Sequence, residues 1–116
     1  MPQYVALTYT EDVDWTAPEN ADQMGDWTEF GEAAAAVIRG GAALYPTSTA
    51  TTVHVAEKGG DPVSTDGPYA ETKEALTGFY QLECADLDEA VRWAAKIPAA
   101  WTGGRVEVRP VIDFGS

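Results

Sequence analysis

The stretch GFYQLECADLDEAVRWAAKIP (residues 78–98) decides the fold, because it predicts a strand that leads directly into a capped helix. Residues 78–84 are strand-like. Asp86 and Glu89 then stand at the two positions of a capping box, and apolar residues follow at helical spacing (Leu87, Ala90, Val91, Ala94 and Ile97). Pro98 predicts the end of this helix. A Gly-Gly turn at 103–104 introduces a last strand over 105–112, so this half has the order strand, helix, strand.

The first half of the chain predicts the same order. Residues 3–9 alternate as a strand with one covered face does. Asn20 and Gln23 resemble a second capping box, and an apolar stripe follows (Met24, Trp27, Phe30, Ala34, Val37 and Ile38). Glycines at 40 and 41 predict the end of this helix, and a return strand begins at 42–45. Between the two halves, residues 51–56 and 63–65 predict a β-hairpin.

These elements predict an α+β fold, a ferredoxin-like βαββαβ plait with an extra β-hairpin, built by residues 1–116 as one domain. Two helices on one face leave the other face of the antiparallel sheet open. From the alternation, we place Val5, Leu7, Val53, Val55, Leu82, Val106 and Val108 under the helices, and Tyr4, Ala6, Thr8, Thr52, His54, Phe79, Gln81, Glu83, Glu107 and Arg109 on the open face. This mixture of aromatic, small and charged groups favours a homodimer whose sheets face each other across a partly polar cleft.

The charge of the chain argues against two classes of partner. Nineteen acidic and seven basic residues give a formal net charge of −12, which phosphate backbones and anionic lipids repel. We therefore expect no nucleic-acid partner and no membrane partner. Eight carboxylates between Glu11 and Glu32 predict a solvated acidic segment, with docking of a basic partner as the alternative. Without a signal segment or an apolar run of roughly 20 residues, the expected location is cytoplasmic.

Asp66 and His54 are the candidates for acid–base catalysis. Asp66 lies in a tight turn, where a carboxylate could act as a general base or orient a polar ligand, or could simply fix the turn through backbone hydrogen bonds. His54 could exchange protons with Asp66 if the hairpin brings them together, or could be an interface residue. Arg109 and Glu107 could bind an anion and a cation in the cleft, or could form cross-strand or intersubunit ion pairs.

Several other chemistries are excluded by residue types. One histidine and one cysteine, Cys84, provide neither a disulfide nor a structural zinc set, and no phosphate-binding glycine motif occurs. We expect no metal and no cofactor. Trp27 and Trp93 are interpreted as core residues on the two helices, whereas Trp15 and Trp101 lie in loops and could line the rim of a cleft.

Seven blocks of sequence resemble the YCII-related, DGPF-motif family: TTVHV (51–55), TDGPYAETKE (65–74), GFY (78–80), DLDEA (86–90), WA (93–94), IP (97–98) and VEVRP (106–110). The resemblance extends over residues 27–111. It implies a dimeric α/β barrel built from ferredoxin-like plaits, whose biochemical function is mostly unassigned. Members are often encoded near, or fused to, extracytoplasmic-function sigma factors, which implies an accessory or regulatory role and a possible link to such a system.

Two departures from the family pattern affect the expected chemistry. Tyr69 stands where the motif has phenylalanine. More distant YciI-like relatives carry a histidine on the first helix, paired with an aspartate and proposed as catalytic, but here that helix has none. The lone His54 lies on a strand where the family usually has arginine, so the dyad does not transfer.

Three hypotheses follow. The first is a homodimer that binds a small molecule or a protein partner in the intersheet cleft, with ligand-binding residues on or beside the open face (Tyr4, Thr8, Tyr69, Phe79, Gln81 and Arg109). The second is a YciI-type enzyme that uses Asp66, alone or with His54, for proton transfer on a small organic substrate. The third is a structural subunit without a ligand.

Overall fold

The computed structural model describes residues 1–70 and 72–115, which form one layer of sheet and one layer of helices. Its main elements are β1 (Gln3–Thr10), α1 (Met24–Ala33), β2 (Ile38–Ala43), β3 (Thr51–His54), β4 (Val63–Asp66), β5 (Ala75–Glu83), α2 (Leu87–Ala94) and β6 (Arg105–Pro110). Short 3₁₀ turns lie at Pro18–Gln23, Thr47–Thr49 and Pro98–Ala100. The mixed α+β class with two helices is confirmed.

The main sheet has four strands in the order β2-β5-β1-β6, and every neighbouring pair is antiparallel. It is an open sheet rather than a closed barrel. At its centre, Val5 lies opposite Gln81 on one side and Arg109 on the other. Two residues along, Leu7 lies between Phe79 and Glu107 in the same way. The central strand therefore aligns side chains from β5 and β6 in rows.

The predicted facing of β1 is wrong by one residue. Tyr4, Ala6 and Thr8 are buried on the helix side, whereas Val5 and Leu7 are half-buried on the opposite face. Both sides of β1 carry apolar groups, so alternation defines two faces without saying which is covered. The core closes over Tyr4, Ala6 and Thr8, and the small side chain of Ala6 lets the helices approach the sheet (the buried cluster is Tyr4, Ala6, Phe30, Ala34, Leu82, Cys84, Ala90, Ala94, Ile97 and Ala99).

The facing predicted for β5 and β6 agrees with the structure. Leu82 is fully buried, and Val106 and Val108 pack partly against the same core. Because Gln81 and Arg109 pair with Val5, they lie on the face opposite that core. The next row places Phe79 and Glu107 beside Leu7 on the same face.

The first helix is shorter than the stripe predicts. It ends at Ala33, and the N–H groups of Val37 and Ile38 both donate to the carbonyl of Ala34, which turns the chain into β2. Ile38 pairs with Leu82 in the sheet, so strand pairing replaces the last predicted helical turn. The capping box at Asn20 is also wrong, since its side-chain amide donates to the Asp14 carbonyl at 2.6 Å.

The second helix begins as predicted. The Asp86 side chain accepts a hydrogen bond from the Glu89 N–H at 2.9 Å, and Glu89 reaches back to the N–H of Ala85 at 2.7 Å. These bonds satisfy backbone donors that the first turn of a helix leaves unpaired.

Replacing Asp86 by alanine is expected to lower the free energy of unfolding by about 1 kcal/mol, because the Glu89 N–H loses its acceptor. Urea denaturation followed by circular dichroism measures this change. Asp88→Ala is the matched control, since Asp88 also lies in the first turn but leaves the bond from Asp86 intact. Equal losses in both variants would contradict the role of the cap.

Strands β3 and β4 form the predicted hairpin, here called the arm (residues 51–66), as a separate two-stranded sheet. The arm is therefore not part of either face of the main sheet, which corrects the placement of Thr52, Val53, His54 and Val55. All of its paired residues are exposed or half-exposed. The chain measures 45 × 44 × 19 Å with a radius of gyration of 16.2 Å, against roughly 13 Å for a compact chain of this length. The flat, extended shape reflects an arm without a covering partner in its own chain.

Candidate functional site

The open face is the surface of the main sheet opposite the helices. Its members come from three adjacent strands (Val5, Leu7, Tyr9, Leu76, Phe79, Gln81, Glu107 and Arg109). Both helices contribute to the core on the other side, through Phe30 and Ala34 near the first and Ala90 and Ala94 on the second. Three of the predicted site residues, Phe79, Gln81 and Arg109, are thus brought together on one surface.

Polar side chains at the margin of the open face pair with one another. The Gln81 amide donates to the side-chain oxygen of Gln3, and Arg109 donates to Glu107. That hydrogen bond raises the pKa of Arg109 above its ordinary value. Across from them, Arg39 and Glu83 form an ion pair at 2.9 Å. This ion pair joins two residues of the same strand, β6, an arrangement that the sequence did not predict.

A wide depression of about 890 Å³ lies where the open face meets the segment after the arm. Tyr9 and Leu76 line it from the sheet, and Pro68 and Tyr69 line it from the DGPF-like segment. Tyr69 is 85% exposed, so its ring makes little contact with its own chain. This depression connects the sequence motif to the open face. Glu71 of the motif lies outside the described residues.

Asp12 supplies a fixed negative charge to this depression. Its carboxylate accepts hydrogen bonds from the backbone N–H and the hydroxyl of Thr47, and these bonds lower the pKa of Asp12 below its usual range. The carboxylate is therefore ionised at neutral pH. It also ties the loop after β1 to the turn after β2.

The structure does not bring His54 and Asp66 together within one chain. In the register of the arm, His54 pairs with Val63, and Asp66 pairs with Thr51 at the other end. The two positions are three steps apart along the ladder, an odd number, so the side chains of His54 and Asp66 also point to opposite faces of the arm. Within one chain, His54 and Asp66 are therefore not placed to exchange a proton directly.

Tyr4 and Thr8 do not belong to the open face. Tyr4 is 7% exposed and lies in the core, and Thr8 is 2% exposed. The Thr8 hydroxyl lies 3.2 Å from that of Thr77. Their assignment to an intersheet cleft is corrected by the facing of β1, because both side chains point toward the helices.

Sequence reasoning missed a pocket on the helix side. Trp15, Trp27 and Tyr80 line a cavity of about 260 Å³ between the loop after β1, the start of α1 and the sheet. Trp27 was expected to be a core residue, and it does pack against the core. The signal in the sequence was the pair of tryptophans within the acidic segment between Glu11 and Glu32, but only the fold shows that their rings meet.

Two other predictions concern the interior and the metal chemistry. Cys84 is buried, as expected, and burial is the main cause that raises the pKa of its thiol. Such a thiol is a poor nucleophile. Within residues 1–70 and 72–115, no group of three or more histidine, cysteine or carboxylate side chains is placed to share a metal ion. In the same residues no helix has the length and apolar character needed to cross a membrane.

Comparison with known proteins places the chain in a family. A model of the YCII-related domain matches residues 3–115. The chain is also similar to an uncharacterized protein of Rhizobium meliloti (strain 1021), with 45% identity over 71 residues, which are 60% of this chain and 56% of that protein. The chain thus spans little more than half the length of this relative. Because the family model matches almost every residue, the chain belongs to the YCII-related family.

Proposed function

We propose that the protein is a homodimeric binding protein with an accessory or regulatory role, whose ligand site lies between the open faces of two copies. In this proposal each chain is a ferredoxin-like plait, and two of them make a dimeric α/β barrel. The observation that carries the proposal is the open face itself. Leu7, Val5 and Phe79 form an apolar centre on a sheet covered on one side only.

Three features favour a second copy as the cover of this face. The apolar centre is bordered by polar side chains that already satisfy one another, such as Gln3 with Gln81 and Arg109 with Glu107. Such a surface can meet its own copy about a twofold axis without stranding a charge. The chain is only 19 Å thick, so one sheet face has no second layer. The arm is a two-stranded ribbon, which is marginal in water until it packs against another surface.

The ligand would occupy the depression beside Tyr69. One chain leaves this depression wide and open, whereas binding sites for small molecules enclose most of the ligand surface. A partner sheet over Tyr9 and Leu76 would supply the missing wall. The aromatic and apolar lining favours a small organic molecule, and a protein segment in the same cleft is the other outcome of the test. The sigma-factor link suggested by the family resemblance stays a prediction, as does the enzymatic alternative at Asp66.

Native mass spectrometry of the protein after exposure to a metabolite extract tests this function. We expect a dimer that retains a small-molecule adduct, and we expect Tyr69→Ala to lose the adduct because an exposed aromatic anchor is removed. Phe114→Ala is the matched control, since Phe114 is 91% exposed and lies outside the lining of the depression. A wild-type dimer without an adduct, or an adduct that survives in Tyr69→Ala, would contradict the proposed site.

The same mass-spectrometry measurement, together with the melting temperature, decides the role of Asp66. Asp66→Asn removes the charge and keeps the shape of the side chain. If the adduct is lost while the melting temperature is unchanged, Asp66 contacts the ligand. If only the melting temperature falls, Asp66 fixes the turn before Gly67, and the ligand site consists of the aromatic residues alone.

A further inference from the structure

We propose that the pocket formed by Trp15, Trp27 and Tyr80 binds a small organic cation with an apolar body, such as an alkylammonium or arylammonium ion. This pocket lies on the helix side of each chain, away from the open face. It is a second site, distinct from the dimer cleft, although Asp12 lines both the depression beside Tyr69 and the acidic recess next to this pocket.

The aromatic wall is continuous and anchored in the core. The ring centroids of Trp15 and Trp27 are 5.3 Å apart at 68°, and those of Trp27 and Tyr80 are 6.4 Å apart at 18°. Tyr80 in turn contacts the buried ring of Phe30 edge-on at 5.1 Å. A cation is attracted to the faces of such rings, most strongly to tryptophan. Because the wall is held by the core, little ordering is required when a ligand binds.

The floor of the pocket is made by small residues of the sheet. Gly41, Ala43 and Gly78 face the helix side where α1 leaves the sheet uncovered, and Thr8 and Thr77 complete the surface. A side chain at Gly41 would place its Cβ 2.5 Å from the Phe79 carbonyl oxygen, so β2 and β5 need glycine to approach this closely. The space above them is the cavity of about 260 Å³.

The polar groups of the floor are already paired. The hydroxyls of Thr8 and Thr77 lie 3.2 Å apart, and Thr77 also donates to the Thr8 carbonyl at 3.3 Å. In the described part of the chain, no buried side-chain nitrogen or oxygen lacks a hydrogen-bond partner. The floor of the pocket therefore has no unpaired polar group for a ligand to bond, and an apolar ligand body fits there.

An acidic recess adjoins the pocket. This recess shares Trp15 and Trp27 with the pocket, and its described lining contains four carboxylates and no basic side chain (Glu11, Asp12, Asp14 and Glu19). Asp14 accepts hydrogen bonds from the N–H and hydroxyl of Thr16, which lower its pKa and keep it ionised. An organic cation can place its apolar body against the aromatic rings and its positive charge toward the carboxylates of this recess.

Titration calorimetry with benzyltrimethylammonium chloride tests the inference, with benzyl alcohol and phenylacetate as neutral and anionic probes. We expect saturable binding of the cation and at least about tenfold weaker binding of the other two, from the combined attraction of rings and carboxylates. Equal affinity for the cation and the alcohol would overturn the proposal, as would no saturable binding of the cation.

Variants locate the binding. Trp15→Leu is expected to weaken cation binding about tenfold, and it is preferred to Trp27→Leu because Trp27 also packs on the core. Trp101→Leu is the matched control, since Trp101 is 57% exposed and lies outside the pocket. The double variant Asp14→Asn, Glu19→Gln should weaken binding of the cation and leave the affinity for benzyl alcohol unchanged. Glu32→Gln should change neither affinity. Circular dichroism confirms that each variant is folded. Unchanged cation affinity in Trp15→Leu would place binding elsewhere and contradict the assignment.

Discussion

Leu82→Ala is expected to lower the free energy of unfolding by about 3 kcal/mol. Leu82 is fully buried on β5, where it lies between Tyr4 on β1 and Ile38 on β2. Alanine removes its contacts with the core and leaves a cavity that a close-packed interior fills only in part. In a domain whose total stability is of the order of 5–15 kcal/mol, this is a large loss.

Urea denaturation of wild type and Leu82→Ala measures the effect. All samples must have the same protein concentration, because unfolding of a dimer depends on it. Leu87→Ala is the control, since Leu87 is half-exposed on the outer side of α2; we expect it to cost less than about 1 kcal/mol. A cost for Leu82→Ala as small as that control would mean that the core does not centre on β5.

Leu7→Glu is expected to convert the dimer into a folded monomer. Leu7 is at the middle of the open face, beside Phe79 and Glu107. In the dimer the new carboxylate would be buried next to Glu107, whose cationic partner Arg109 is already engaged, and this weakens association at least about a hundredfold. In the monomer the same residue faces water, so the fold survives.

Size-exclusion chromatography with light scattering compares Leu7→Glu with Leu87→Glu, the same change on an exposed helix position. The second variant should remain dimeric, and far-ultraviolet circular dichroism should be unchanged in both. A dimeric Leu7→Glu protein would show that the open face is not the interface, and the ligand cleft proposed at that face would have to be abandoned.

The order of elements was predictable from local chemistry. Asp86 and Glu89 mark the start of α2 through hydrogen bonds that the structure contains. The glycines at 59–60 mark the turn between β3 and β4, and those at 103–104 mark the turn before β6. These signals act over a few residues, where sequence spacing and spatial distance are nearly the same thing.

The faces of β1 were not predictable, because the deciding interactions are distant in the chain. Ala6 belongs to one buried cluster with alanines from α2 and from the end of α1, and only the packed structure shows that Tyr4, Ala6 and Thr8 point inward. For the same reason the sequence left open whether the hairpin brings His54 and Asp66 together, and the register of the arm places them at opposite ends of the ladder. The pocket at Trp15 and Trp27 also requires the loop after β1 to lie against α1, and local spacing contains no information about that contact.

The net charge of −12 sets a condition for association. Two copies repel each other through their acidic surfaces, and the repulsion is screened by salt, with a screening length of about 8 Å at physiological ionic strength. The apolar centre of the open face must overcome the remaining repulsion. Dimerisation through this face should therefore become stronger as salt is added, which is opposite to the behaviour of an interface held by ion pairs between copies.

Sedimentation equilibrium of the wild-type protein at physiological salt tests whether two copies associate through the open face. We expect a mass of twice the 12.4 kDa chain, with dissociation only on strong dilution. A mass of one chain across the whole concentration range would contradict dimerisation through the open face.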